Sequence, residues 1–259
     1  MSKPLTISLA QLPVVKGDLS ANLAIHLNAI AQAASQGADL VVFPELSLSG
    51  YELEMAEQLA VAEQADNFAA LSAAAVQHKV MLIAGCPLRG KAGAKPMIGA
   101  VICFADGKVE FYAKQYLHPG EQQYCSPGHQ DYLFSLKGQR IALAICADFA
   151  APEHSLKARQ KGADIYLVSA LISGSGFIDD AKILSEIAAK QQFSVLLSNH
   201  ISTTGGWATC GNSSIWNRTG ELIGCSQSSR SCLLLVTFNG ELVETRVQAL
   251  FGMNQGIAI

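Results

Sequence analysis

One sequence pattern occurs twice in the chain and restricts the fold. The first copy, at 35–50, reads SQGADLVVFPELSLSG, and the second, at 160–175, reads QKGADIYLVSALISGS. In each copy a helical pattern ends at Gly-Ala-Asp, a short apolar run predicts a buried strand, and a loop with Ser and Gly follows. Two α–β halves of this kind bury their sheets against each other and carry their helices outside. The repeat therefore predicts a layered α/β protein.

Hydrophobic periodicity predicts further elements around the two copies. Predicted helices run from Asp18 or Ser20 to Gly37 and over 68–79, 155–161 and 178–192; predicted strands cover 5–12, 38–43, 80–85, 98–104, 109–113, 141–145, 165–169 and 194–199. Hairpins are predicted with a tip at 91–95 and after residue 199 up to the end of the chain. Because helices separate some strands and hairpins join others, we expect mixed sheets. No stretch has the composition of a linker, which predicts a single domain over 1–259.

A cysteine stands where a buried strand gives way to a helix. Residues 141–145 are continuously apolar, Cys146 follows them, and Pro152 suits the first position of the next helix, with Asp148 as its candidate cap. Backbone N–H groups and the positive end of a helix dipole favour a thiolate at such a place. The position also suits an inert core cysteine, since the chain contains 7 cysteines.

Composition and charge exclude several classes of function. Half of the 259 residues are hydrophobic and 15% are charged, which is typical of a compact α/β protein and not of a disordered one. The formal net charge of −3 gives no electrostatic footprint for nucleic acid or an anionic membrane. The apolar stretch at the amino terminus is too short for a signal peptide, and no segment is long enough to span a bilayer. Scattered cysteines without CxxC spacing predict reduced thiols and a cytoplasmic protein.

Three short blocks follow one another along the chain. They are Val-Val-Phe-Pro-Glu at 41–45, Tyr-Ala-Lys at 112–114 with Glu121 and a Ser-Pro-Gly after it, and Ala-Ile-Cys-Ala-Asp at 144–148. Together they resemble the signature blocks of the nitrilase superfamily of carbon–nitrogen hydrolases, in its amidase-like branch. The Gly-Trp-Ala-Thr-Cys-Gly segment at 206–211 resembles the family's late hairpin. The resemblance implies a four-layer α-β-β-α sandwich with two mixed β-sheets.

The resemblance also implies a role for each reactive residue. Cys146 attacks the carbonyl carbon of an amide and forms a thioester, releasing ammonia or an amine. Glu45 takes the thiol proton, passes it to the leaving nitrogen and later activates water. Burial in an apolar site raises the pKa of a carboxylate, which suits both the acid and the base role. Lys114 and the backbone N–H of Ala147 stabilise the oxyanion. Glu121 positions the lysine and the substrate. No metal or cofactor is expected.

Four further residues fall in loops that line the substrate pocket in the resembled family: Tyr51, Leu171, His200 and Trp207. Aromatic and apolar residues at such places also occur simply as packing. Each reactive residue has an ordinary alternative as well, such as a solvated loop acid for Glu45. The combination of all of them in the family's order favours the functional interpretation.

Other classes of function match the sequence less well. A Ser-Gly-Ser-Gly turn at 173–176 lacks the third glycine of a dinucleotide-binding loop, and no GK[ST] or GxSxG motif occurs. His118, Cys125 and His129 lie in one long loop, but their spacing fits no common zinc site and a fourth ligand is not evident. A catalytically inactive relative serving as a binding module would be expected to have lost a reactive residue, and all are present.

The residues after the cysteine bear on the substrate. Family members that act on nitriles tend to have Trp-Glu there, whereas amidase-like members have a small or aromatic residue and then Asp, as in Ala147-Asp148. Carbamoylases and ω-amidases often place an arginine a few residues later to hold a carboxylate, and here 149–151 reads Phe-Ala-Ala. We therefore expect a small-molecule amide whose recognised part is neutral or apolar. An N-carbamoyl or ω-amide hydrolase, or a nitrilase, is the alternative.

The end of the chain is unusually apolar. Segment 249–259 reads ALFGMNQGIAI, whereas chain ends are commonly polar and frayed. An interface between subunits would explain this composition, and so would a strand that closes its own sheet. The family commonly pairs its subunits, so the resemblance predicts a homodimer.

Overall fold

A computed structural model describes residues 3–90 and 93–252 of the chain. Within them the strands form a seven-stranded sheet, a six-stranded sheet and a two-stranded ribbon. The strands are β1 (Leu5–Gln11), β2 (Leu40–Val42), β3 (Met81–Leu88), β4 (Met97–Cys103), β5 (Val109–Ala113), β6 (Leu133–Leu136), β7 (Gln139–Ile145), β8 (Ile165–Ala170), β9 (Ser194–Asn199), β10 (Thr203–Thr204), β11 (Trp207–Ala208), β12 (Ser214–Trp216), β13 (Leu222–Cys225), β14 (Cys232–Asn239) and β15 (Leu242–Ala249). The α-helices are α1 (Leu19–Ser35), α2 (Ala56–Leu59), α3 (Ala69–His78), α4 (Pro152–Gln160) and α5 (Phe177–Gln191).

Both large sheets are mixed, as predicted. The strand order is β15-β14-β1-β2-β3-β4-β5 in one sheet and β13-β12-β9-β8-β7-β6 in the other. Three neighbouring strands in each sheet are parallel, namely β1-β2-β3 and β7-β8-β9. The outer strands join them in antiparallel pairs.

Alternating side chains on the central strands bury three separate cores. In β7 the larger residues Ile141, Leu143 and Ile145 face the other sheet, while Ala142 and Ala144 face helices α4 and α5. In the same way β1 turns alternate residues toward the opposite sheet, and helices α1 and α3 cover the outside of its own sheet. The cores separate four layers, and the predicted α-β-β-α sandwich is confirmed.

The repeated Gly-Ala-Asp performs the same task in both halves. The glycine of each copy has a φ of 80° and ends the preceding helix in the left-handed conformation. Asp39 Oδ2 then accepts the backbone N–H of Thr6 in β1, and Asp164 Oδ2 accepts that of Arg140 in β7, each across 2.9 Å. Each aspartate thus ties the start of its strand to the parallel neighbour.

The boundaries differ from the predictions at a few places. Strand β6 was not predicted, because four residues give too short an alternation to recognise. Asp18 caps α1 by accepting the N–H of Ala21 across 2.9 Å, which selects it over Ser20. The predicted hairpin tip at 91–95 and the apolar chain end at 249–259 lie partly outside the described residues. No helix in the described ranges is long and apolar enough to cross a membrane.

Candidate active site

Three reactive side chains meet because three strands end at one place. Glu45 follows β2, Lys114 follows β5, and Cys146 follows β7 of the facing sheet. Lys114 Nζ lies 2.8 Å from Glu45 Oε1 and 2.7 Å from Glu121 Oε1, and these three side chains are at most 1% exposed. The charges of all three act on the nearby Cys146 thiol, so the structure brings together the four residues for which the sequence predicted catalytic roles.

The loop that carries Glu45 lies directly on strand β3. Leu46, the next residue, has a φ of 50°, and Leu48 donates its N–H to the carbonyl oxygen of Gly85 across 2.9 Å. A Cβ atom at position 85 would lie 2.3 Å from the backbone nitrogen of Leu46. Only glycine permits this approach. Sequence reasoning missed Gly85, although a glycine inside a strand often indicates close backbone contact.

Two buried histidines support the same loop. His200 Nε2 donates to the backbone carbonyl oxygen of Glu45 across 2.6 Å, and burial lowers the pKa of His200 to about 4. His26 packs on Phe43 and accepts the Ser47 hydroxyl at Nε2 across 2.9 Å. His200 was expected to line the substrate pocket; instead it is fully buried behind Glu45, because the turn after β9 directs it toward this loop.

Glu121 connects the long loop after β5 to the lysine. Its Oε1 accepts the hydroxyl of Tyr51 as well as Lys114 Nζ, and its Oε2 accepts the backbone N–H of His118 across 2.6 Å. The Glu121 carboxylate therefore holds the Lys114 ammonium in place and also stabilises the turn at 118–121 in which Glu121 lies. Tyr51, which the sequence assigned to the pocket, contacts this cluster and also lines the cavity described below.

Cys146 has an unusual backbone conformation. Its φ is 45°, a left-handed value that is uncommon for a residue with a side chain and that indicates local strain. Its Sγ lies 3.8 Å from the carbonyl oxygen of Leu171, and the residue is partly exposed. The turn Cys146–Asp148 separates the thiol from the start of α4 at Pro152.

The charges around Cys146 favour a neutral thiol, whereas the sequence predicted a thiolate. Removal from water and the negative charge of Glu45 raise the pKa of the Cys146 thiol above its usual value, so the resting group is a thiol. Burial also raises the pKa of Glu45 to about 7, against the opposing effect of Lys114. For Lys114, burial alone would lower the pKa, but the Glu45 carboxylate raises it, so the ammonium stays charged.

Asp148 does not cap helix α4 as predicted. The N-cap residue of α4 is Ala151, which makes no side-chain capping bond. The Asp148 carboxylate points the other way, because it accepts the backbone N–H of Ile145 across 2.9 Å and thereby closes the turn around Cys146. Sequence reasoning recognised a capping residue here and assigned it to the wrong element.

A cavity of about 400 Å³ opens in front of the thiol. Predicted site residues among those lining it are Tyr51, Cys146, Ala147, Leu171 and Trp207. An adjoining cavity of about 380 Å³ shares Tyr51, His118 and Trp207 with it. Trp207 is 46% exposed and stands at the junction of the two.

The three candidate zinc ligands of the long loop lie in different surroundings. Across the described residues, no group of three or more His, Cys, Asp or Glu side chains is arranged to hold a metal ion. His118 lines the cavity at Cys146, whereas His129 lines a different one and Cys125 is buried. All seven cysteines are free.

Comparisons with known proteins identify the family of the chain. Two structures of an amidase from Nesterenkonia sp. AN1 each superimpose with a TM-score of 0.83 over 90% of both chains, at 27% and 26% identity. One carries the acetamide moiety of fluoroacetamide on the active-site cysteine; the other is a cysteine-to-alanine variant in complex with butyramide. An (R)-stereoselective amidase from Pseudomonas sp. is 29% identical over 195 residues, which are 74% of this chain and 70% of the relative. The model of the carbon–nitrogen hydrolase family matches residues 6–246. The chain belongs to the carbon–nitrogen hydrolase family.

Proposed function

We propose that this cysteine-dependent amide hydrolase uses Cys146 as its nucleophile and Glu45 as its general base. The observation that carries the proposal is the cluster of Glu45, Lys114 and Glu121, buried beside a thiol that faces a cavity. A neutral thiol needs a base within reach, and a carboxylate with a pKa of about 7 is suited to accept its proton near neutral pH.

The proton moves through Glu45. Within the described residues Glu45 Oε2 has no hydrogen-bond partner, whereas Oε1 is held by Lys114. Oε2 takes the proton as the Cys146 sulfur bonds to the carbonyl carbon, and gives it to the nitrogen as the C–N bond breaks. The acyl group then remains as a thioester on Cys146. Glu45 next takes a proton from water as the water oxygen attacks the thioester carbon. It gives that proton to the sulfur as the C–S bond breaks, which releases the acid product and restores the thiol.

Lys114 supplies the positive charge for the oxyanion. Its ammonium lies between two carboxylates and stays protonated, so it remains a fixed charge throughout the reaction. The backbone N–H of Ala147, which lines the cavity beside the thiol, is the second proposed donor. Both groups are held by the fold before the substrate binds, which reduces the reorganisation that the reaction requires.

The proposed substrate is a small, uncharged amide. In the described part of the chain no Lys or Arg lines the cavity at Cys146, and Asp179 and Asp180 at the start of α5 do. Burial and the neighbouring Asp179 raise the pKa of Asp180, which indicates that the pair already repel each other. A carboxylate-bearing amide would meet further repulsion there. The butyramide complex of the Nesterenkonia amidase supports an aliphatic amide.

An ammonia-release screen tests this proposal. Butyramide should be hydrolysed with a higher kcat/KM than an ω-amide of a dicarboxylic acid, an N-carbamoyl amino acid or a nitrile. The double substitution Asp179→Asn with Asp180→Asn should reduce the ratio of kcat/KM for butyramide to kcat/KM for the ω-amide. Preferential turnover of the carboxylate-bearing amide, or of the nitrile, would contradict the substrate assignment and leave the catalytic roles standing.

We also propose that the protein is a homodimer located in the cytoplasm. Leu156 of α4 and Ile178 and Ile183 of α5 are 46%, 80% and 37% exposed, which is unusual for large apolar side chains on neighbouring helices. Pairing of two copies through α4 and α5 would cover them. Seven free cysteines support a reducing compartment.

A further inference from the structure

The carboxylate of Asp148 receives four hydrogen bonds and is fully buried. Oδ1 accepts the backbone N–H groups of Gln115 and Tyr116 across 2.8 and 2.9 Å. Oδ2 accepts the backbone N–H of Ile145 across 2.9 Å and the hydroxyl of Tyr112 across 2.7 Å. Every donor therefore lies within two residues of Lys114 or is the residue before Cys146.

These four bonds join segments that belong to the two large sheets. Tyr112 is in β5 of the seven-stranded sheet, and Gln115 directly follows Lys114. Ile145 ends β7 in the six-stranded sheet. The lysine and the cysteine thus start from opposite sheets, and Asp148 is bonded to the backbone next to both.

The bond to Ile145 also acts on strained backbone. Cys146 holds a φ of 45°, which persists only where its surroundings enforce it. Asp148 closes the turn from the N–H on one side of Cys146, and Phe149 donates its N–H to the Cys146 carbonyl oxygen across 3.0 Å on the other. The carboxylate is therefore in a position to enforce the conformation that presents the thiol.

We propose that Asp148 is a positioning residue that sets the distance and orientation between Lys114 and Cys146 for the transition state. The proposal rests on the catalytic roles proposed above for those two residues. Asp148 touches neither substrate nor reacting atoms and acts through the backbone. It holds the end of β5 and the strained turn after β7 in a fixed relative position across the two sheets.

A row of hydrogen bonds behind Tyr112 holds the hydroxyl that donates to Asp148. Tyr166 donates its hydroxyl to His154 Nδ1 across 2.7 Å, and His154 Nε2 lies 3.0 Å from the Tyr112 hydroxyl. With the neutral ring protonated at Nε2, each group in this row donates to the next and the row ends at Asp148. Burial lowers the pKa of His154, which favours that neutral form.

Asp148→Asn is the first test. An amide has only one acceptor oxygen, so its NH₂ group must face either the Ile145 N–H or the two N–H groups of Gln115 and Tyr116. We expect kcat for butyramide to fall by about 100-fold, as misplacement of catalytic groups by roughly 1 Å does, while KM changes by less than about threefold. Alkylation of Cys146 by iodoacetamide should slow as well.

Asp131→Asn is the matched control. Asp131 also binds Gln115, through the side-chain Nε2 across 3.1 Å, and it pairs with Lys161 on the surface. It makes no bond near Cys146, so its substitution should leave kcat unchanged. Circular dichroism and thermal unfolding establish which variants are folded at the assay temperature, and kcat is compared among those.

Tyr112→Phe is a second variant that keeps the proposal testable if Asp148→Asn does not fold. It removes one of the four bonds and should lower kcat by about tenfold with KM unchanged. Folded Asp148→Asn and Tyr112→Phe enzymes with wild-type kcat and alkylation rate would overturn the proposal. If Cys146→Ala also remained active, the proposed function itself would fail; an inactive Cys146→Ala beside a fully active Asp148→Asn would remove the positioning role alone.

Discussion

His200 donates its Nε2–H to the backbone carbonyl oxygen of Glu45 across 2.6 Å, although the two residues are 155 positions apart in the chain. With a pKa of about 4 the ring is neutral at physiological pH and does not add a charge beside the carboxylate. The imidazole therefore holds the Glu45 loop from behind without changing its electrostatic surroundings.

Replacement of His200 should slow the reaction through the position of Glu45. His200→Phe leaves a buried carbonyl oxygen without its donor, and we expect kcat to fall by about 10- to 100-fold with little change in KM. His200→Gln retains an N–H donor and should lose less. His129→Phe, on the exposed loop, is the control. Equal losses in the Phe and Gln variants would exclude the hydrogen bond as the cause.

Cys146 should be the thiol on which turnover depends. Cys146→Ala should abolish ammonia release. Because Cys210 and Cys225 are also partly exposed, labelling is best done on a Cys210→Ser, Cys225→Ser enzyme. Iodoacetamide should then add one equivalent at Cys146, located by peptide mass spectrometry, in step with the loss of activity. Inactivation accompanied by labelling of the buried Cys125 would point to another mechanism.

The pH profile should report the ionisation of Glu45. A general base must be deprotonated, so kcat/KM for butyramide, which does not titrate, should rise with pH through an apparent pKa of about 7. The charge of Glu121 contributes to raising the pKa of Glu45. In Glu121→Gln the remaining activity should therefore rise at a lower pH. If the apparent pKa of this rise in kcat/KM stayed the same in Glu121→Gln, the rise would report a group other than Glu45.

Glu45→Gln should be inactive but more stable at alkaline pH. The folded-state pKa of about 7 exceeds the ordinary value of 4.5, so the folded protein binds the proton more tightly. Wild-type stability is therefore lost as pH rises from about 4.5 to 7, by roughly 3 kcal/mol at 1.36 kcal/mol per pKa unit. Glutamine resembles the protonated acid and avoids this loss. Urea unfolding at pH 8 should give Glu45→Gln a free energy of unfolding roughly 3 kcal/mol above that of the wild type, and at pH 5 this difference should shrink to about 1 kcal/mol. A difference that does not change with pH would contradict the assignment.

The proposed dimer can be tested through α4 and α5. Light scattering at micromolar concentration should give twice the mass of the chain. Ile178→Glu combined with Leu156→Glu places charges on the exposed apolar positions and should yield monomers. Leu242→Glu, a similarly exposed site on β15, should not. A monomeric wild-type protein would end the proposal.

Repetition and hydrophobic pattern were sufficient to predict the layers. The Gly-Ala-Asp copies mark a local structure, because each aspartate bonds to an adjacent parallel strand whose partner is fixed by the sheet. The places of Glu45, Lys114 and Cys146 after strands were also predictable, because the three blocks that resemble the family's signatures include the ends of those strands. These features depend on short stretches of sequence.

The directions of buried polar side chains were not predictable. His200 and Asp148 each bind backbone atoms that belong to a distant segment, and only the packing of two sheets decides which segment is near. The thiolate prediction failed for the same reason. A local rule about helix starts considered Cys146 alone, whereas burial and then the carboxylate of Glu45 from the other sheet raise the pKa of the thiol.

The acidic lining at the start of α5 has a consequence for the end of the catalytic cycle. Hydrolysis turns an uncharged amide into a carboxylate anion. Asp179 and Asp180 line the cavity, and their negative charges repel a carboxylate there but not an uncharged amide. Acid product should therefore leave readily and inhibit weakly when it accumulates. The same two side chains would hinder a carboxylate from returning to reverse the reaction.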